Sequence, residues 1–279
     1  MKPSHRKENV SVLRKYGSFF RLRFAMGLQY RGAALGGIAT QFAWGFLNIL
    51  LFDAFYRADP AAFPMGFASL TSYLWLQQAF LALFMSWFVE MELLNAISDG
   101  QIAYELARPM DLYWMWTVRS LANRLSRAAL RCLPILTVAL LLPKPYGLSL
   151  PSSLPVFGLF LVSCALGLAV VVALNLLLYG LNFYTVSPVG TRAIFTVIAD
   201  FLAGGTIPLP FFPDGVRQAV ELLPFASMQN MAFRIYSGDL AGSDALGAVG
   251  LQAFWIAVLI AAGRLLFRRA TKRVVVQGG

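Results

Sequence analysis

The sequence predicts an all-α polytopic membrane protein with six transmembrane helices, and three observations carry that prediction. Only 13% of its 279 residues are charged while 58% are hydrophobic, against about a quarter charged in soluble domains. Mean hydropathy is +0.66. The apolar residues come in blocks of span length and do not alternate, which fits membrane helices and not a β-barrel. The bases sit at block ends, overwhelmingly on one side, so a net charge of +10 reads as a cytoplasmic membrane face and not as a nucleic-acid surface.

The elements follow in order. Residues 1–9 form a polar tail, without the apolar stretch and small-residue cleavage site of a signal peptide. Over 10–32, Leu13, Tyr16, Phe20, Phe24 and Leu28 recur at helical spacing with Arg14, Lys15 and Arg21 to the side. This predicts an amphipathic helix in the headgroup layer, its arginine stems snorkelling. Arg23 spoils the pattern by falling near the apolar arc. Span one is 33–56, opening on the small residues Gly32, Gly36 and Gly37, with Asp53 near its outer end. Span two is 67–89. It carries Gln77 and Gln78, which need a protein or cavity partner because lipid offers none.

A polar stretch, 90–124, then interrupts the apolar blocks. It holds Glu90 and Glu92, a break at Gly100, the pair Glu105 and Arg108, and Pro109 as a stop. A polar loop of this size on the basic side is expected to meet something soluble. Span three, 125–142, contains Pro134. At its inner end Arg124, Arg127 and Arg131 share one face, which suits either positive-inside anchoring or contact with an anionic substrate or headgroup.

Span four, 156–181, is the most apolar, with Asn175 as its lone amide. Span five, 191–207, holds Asp200 at its middle, either as a proton-coupling carboxylate or as an interior Asp bonded to neighbouring polar groups. The next region, 208–245, opens with Pro208, Pro210 and Pro213, yet is too apolar over Phe211 to Leu223 for an open loop. It predicts a helix that re-enters or lies on the outer leaflet before Pro224. Span six is 246–267, and a tail follows over 269–279. The spans sit within a membrane domain covering 33–268.

Topology follows from the bases. Nineteen of the 23 Lys and Arg fall on one side of this arrangement, and only Arg57, Lys144, Arg217 and Arg234 on the other. Both termini are therefore expected in the cytoplasm. The two cysteines, Cys132 and Cys164, lie in apolar runs and imply no disulfide. The single histidine is His5. No P-loop, HExxH, GxSxG or Cys/His cluster occurs, so the chain is expected to be no enzyme and to bind no metal or cofactor.

Two segments carry a family resemblance. Residues 99–110, DGQIAYELARPM, resemble the Gly-x-[Ile/Leu]-x₃-Leu-x-Arg-Pro segment of type-2 ABC exporter permeases, through Gly100, Ile102, Leu106, Arg108 and Pro109. Residues 201–225 resemble the same family's second segment, through Gly205, Pro208, Leu209, Phe212, Pro213, Pro224 and Phe225. The resemblance covers nearly the whole chain, and is nearest the branch with paired permeases beside one ATPase, often called antibiotic or multidrug exporters.

The resemblance implies a connecting helix at the N-terminus, a cytoplasmic coupling helix between spans two and three, and a re-entrant segment between spans five and six. It implies ATPase coupling through Gly100, Glu105, Leu106, Arg108 and Pro109, and a re-entrant gate at Gly205, Pro208, Phe212, Pro213, Pro224 and Phe225. Gln77, Gln78, Asn175 and Asp200 are candidate path-lining residues. ATP and Mg would sit on a partner ABC ATPase. A second permease chain completes the path, a heterodimer being favoured over a homodimer, in the bacterial cytoplasmic (inner) membrane. An ATP-independent carrier or channel using Asp200 is the alternative.

Overall fold

The computed structural model describes residues 5–185 and 187–272, with side chains from residue 12 onward. Residues 1–4 of the expected N-terminal tail and 273–279 of the expected C-terminal tail lie outside the described residues. All regular structure among the described residues is helical. Three helices, α2 (Arg31–Ala58), α8 (Leu154–Asn182) and α12 (Gly242–Thr271), are long and apolar enough to cross a membrane. The chain is a polytopic membrane protein.

The N-terminal helix α1 (His5–Leu28) begins inside the expected tail. It packs along α7 (Leu112–Leu141). Tyr16, Phe20, Phe24 and Leu28 of its apolar arc are half-buried, while Leu13 is exposed. Gly27 lets the two helices touch, because a Cβ there would collide with Ser126. After α2 the chain turns through a short 3-10 segment, where Asp59 accepts from the amides of Ala61 and Ala62.

The buried centre is α3 (Phe67–Ala79), in which Leu70, Tyr73, Trp75 and Leu76 are almost wholly covered. The 67–89 span was expected as one helix, and its helical part is shorter. It breaks at Phe80, resumes as α4 (Leu81–Phe84) and unwinds from Met85 to Glu90. The expected fifth span, 191–207, also stops early. Helix α9 (Pro188–Leu202) ends before Gly204, whose φ of +75° only glycine adopts without strain.

Helix starts are written locally. Asp111 caps α7 through the Trp114 amide, Ser153 caps α8 through Val156, and Ser187 caps α9 through Gly190, with prolines in the first turn of the last two. Within the polar stretch lie α5 (Met91–Ser98) and α6 (Ile102–Leu106), and α7 has already begun by Leu112. Between α9 and α12 come a 3-10 turn, α10 (Asp214–Glu221) and α11 (Asn230–Ser237). Helix α12 lies along α8, and α11 fills the space between α3 and α8. Gly167 of α8 allows that fit, since a Cβ there would strike the Met228 carbonyl.

Candidate functional site

The tip of the polar stretch presents several exposed side chains on a buried anchor. Gly100 turns the chain with φ of +73°, a conformation strained for any side chain. Ile102 anchors α6 in an apolar cluster with Leu93, Leu94 and Trp116. Beyond that anchor, Arg108 and Pro109 are exposed and Tyr104 is 78% exposed. Leu106 is exposed as well, and edges a shallow pocket of about 200 Å³ that it shares with Tyr113 and with Arg264 and Arg268 of α12. Glu105 is pulled inward. One carboxylate oxygen meets Arg108 at 3.2 Å, and the other accepts from the Trp116 indole at 3.3 Å. Behind the tip, the Tyr16 hydroxyl of α1 accepts from the Asp111 amide. The N-terminal helix is thereby tied to the start of α7.

The unwound segment 85–90 connects this tip to the core. Unwinding frees backbone groups that lipid cannot satisfy, and buried side chains take them up. Arg124, fully buried, donates to the carbonyls of Leu83 at 2.7 Å and of Met85 and Phe88 at 3.1 Å. A cation at the carbonyl end of a helix also suits its dipole. Asn175 donates to Phe88 O at 3.3 Å, and the Glu90 amide donates to the Tyr179 hydroxyl at 2.9 Å. Asn175 thus serves this segment and is not among the residues lining the cavity that Gln77, Gln78 and Asp200 share.

Just beyond, Arg119 reaches from α7 to both Glu90, at 2.6 Å, and Glu92. Arg119 and Glu90 are buried, whereas the Glu92 side chain is 75% exposed. Burial works against the Arg119 charge, but the two carboxylates outweigh it and raise its pKa above the ordinary arginine value.

Gln77, Gln78 and Asp200 do come together, around a small polar cavity of about 120 Å³ that Ser86 and Gln229 also line. Gln77 donates to the carbonyls of Gly204 and Gly205, at 3.1 and 2.9 Å, just past the C-terminal end of α9. Asp200 accepts from the Thr206 hydroxyl at 3.1 Å. Gly205 packs directly on that carboxylate, where a Cβ would clash.

The candidate gate residues divide. Pro208 and Phe212 are buried, and Phe212 joins a small cluster with Leu209, Val220 and Ala226. Pro213 is exposed at the start of α10, and Pro224 and Phe225 are half-buried. Beneath them Arg234 is held by Glu221 and Asp239, while Arg217 pairs with Asp214 at 2.9 Å.

Sequence reasoning missed Arg119 and Arg234 as ion-pair centres. Glu90 and Glu92 were visible as a pair of acids, but their partner lies 29 residues on from Glu90 and has no local signature. The stripe of Arg124, Arg127 and Arg131 was visible too, yet its first member points into the core and serves backbone.

A family model described as ABC-2 family transporter protein matches residues 42–278. No curated protein and no solved structure matches the chain significantly.

Proposed function

The chain belongs to the ABC-2 transporter family, and on that premise we propose that this membrane permease is the transmembrane subunit of an ATP-driven exporter whose ATPase is a separate protein. The observation that carries the coupling half of this reading is the tip at 100–109. Tyr104 and Leu106 are exposed on a polar loop, where no bilayer is expected to cover them, beside the exposed Arg108. An exposed aromatic with an adjacent arginine is the composition of a protein contact.

ATP-driven closure of two ATPase subunits pushes on the tip. The pinned 85–92 segment and the α1–α7 pair carry the push into α3 and α4, and the bundle shifts between inward-open and outward-open states. Six spans, cytoplasmic termini and an outer-leaflet re-entrant region over 208–245 belong to this proposal. So does a second permease chain, a heterodimer by branch resemblance. Helix α9 supports a partner surface, because Ala199 is its only buried residue while Val189, Ile194, Val197 and Phe201 are exposed. The bacterial inner membrane is the proposed location.

Purification of the tagged chain in mild detergent from its native host tests the partner. A P-loop ATPase should co-purify and be lost when Gly100–Pro109 is disrupted. Charge reversal at Arg108 should lower transport-coupled ATPase activity without loss of folded protein. A chain that emerges alone under several mild conditions overturns the assignment.

A further inference from the structure

At the basic end a cavity of about 540 Å³ opens between α1, α2, α7 and the unwound segment. Arg23, Arg119, Arg127 and Arg131 line it, with Glu90 and Glu92 as its carboxylates. The acids are already engaged, because both bind Arg119. Among the described residues, Arg23, Arg127 and Arg131 have no carboxylate partner within salt-bridge distance. Instead Arg23 lies over the Phe19 ring and Arg127 over the Phe88 ring, the latter at 3.7 Å. Arg131 folds across Gly37, where a Cβ would strike its guanidinium.

Two polar atoms of the lining residues lack a protein partner. Arg131 Nε is buried without a hydrogen-bond partner, and so is Glu90 Oε1. Both signs are present, but the surplus is cationic. Burial, then Arg119, lowers the pKa of Arg23, so its charge lacks full compensation. Met26, Ala34, Phe88 and Leu130 form an apolar part of the wall, and Tyr30, Asn123 and Ser126 add uncharged polar groups. Arg23 is the residue that broke the amphipathic pattern of α1. It faces this cavity, so the irregularity has a structural counterpart.

We propose that this cavity binds a phosphate group carried on an amphipathic molecule, the phosphate between Arg23, Arg127 and Arg131 and the apolar part against Phe88 and Leu130. Guanidinium groups suit phosphate because their planar N–H forks match its oxygens. A volume of this size also exceeds what a bare phosphate needs and falls in the range of small-ligand sites. The source is either an anionic lipid headgroup or a soluble phosphate-bearing molecule. The site stands apart from the exporter reading, since it requires neither ATP nor a partner.

The test is binding of a fluorescent short-chain phosphatidylglycerol to the purified protein in neutral detergent. Arg127→Gln with Arg131→Gln should weaken binding about tenfold or more. Arg269→Gln, an exposed base on α12 away from the cavity, should leave it within about twofold. Displacement by millimolar inorganic phosphate identifies a phosphate-selective site open to soluble ligands. Failure of phosphate to displace the probe identifies a lipid site. Unchanged affinity in the double variant overturns the proposal. Should that variant not fold, phenylglyoxal labelling of the unaltered protein replaces it. The lipid should shield Arg127 and Arg131 but not Arg269, and equal labelling with and without lipid overturns the site.

Discussion

Each end of the buried α3–α4 path holds one arginine between two carboxylates. At the basic end Arg119 joins Glu90 and Glu92, and at the opposite end Arg234 joins Glu221 and Asp239. The surroundings differ. Around Arg234 the neighbouring Arg217 has Asp214 within 3 Å and Glu221 at 4.0 Å, so that cluster closes on itself. Around Arg119 stand three further arginines, Arg23, Arg127 and Arg131, none with a carboxylate within salt-bridge distance among the described residues. The Arg234 cluster works as a staple joining α10, α11 and the α11–α12 turn. The Arg119 cluster is a staple with charge to spare. That surplus, and not the ion pair, is what makes the basic end a place for a ligand.

Breaking either staple should produce the largest effects. Arg119→Ala leaves Glu90 buried and unpaired, and Arg234→Ala leaves Glu221 and Asp239 facing each other. Each should cost about 3–5 kcal/mol, read as thermal unfolding in detergent. Arg119→Met combined with Glu90→Gln should recover much of that loss, because a buried pair is replaceable where a lone buried charge is not. The two glutamates sharpen the comparison further. Glu90→Gln should cost about 1–3 kcal/mol, whereas Glu92→Gln, at an exposed carboxylate, should cost under about 1 kcal/mol and lose even that in high salt.

A smaller effect should separate the buried helix α3 from the tip of the polar stretch. Gln77→Leu removes the donor to Gly204 and Gly205 and should cost about 1–2 kcal/mol in unfolding. Gly100→Ala forces a side chain into a left-handed turn and should cost about 1 kcal/mol. Because nothing crowds Gly100, its effect should appear mainly in the proposed coupling to an ATPase and less in global unfolding. Equal loss of stability at both positions would mean that the tip is part of the core.

Much of the fold was legible in the chain. The helices α2, α8 and α12 stand where the apolar blocks are, although α8 and α9 begin at Leu154 and Pro188, a little before the expected 156 and 191. The arc of α1 was legible down to its flaw at Arg23. The end of the second expected span was not, and that of the fifth was missed. Residues 85–89 remain largely apolar past the end of α4 and give no stop signal, whereas Gly204, Gly205 and Pro208 after α9 are a stop signal that the expected span ran through. The unwinding after Phe84 depends on Arg124, Asn175 and Tyr179 being present to take up the freed backbone groups. The end of α9 likewise coincides with Gln77 reaching Gly204 and Gly205 from another helix.

The sequence by itself determined the membrane class, the family and the basic end, because each is set by composition or by residues close along the chain. Tertiary structure alone decided which of three arginines on one face is structural. Arg124, Arg127 and Arg131 share a local pattern, yet Arg124 meets three carbonyls closely, Arg127 an aromatic ring, and Arg131 the flat of Gly37 with a long 3.5 Å contact to the Ala33 carbonyl. What separates them is the direction in which α7 packs and the point at which α4 unwinds. A buried cation takes the partner that lies within about 3 Å, and that partner comes from a segment some forty residues away for Arg124.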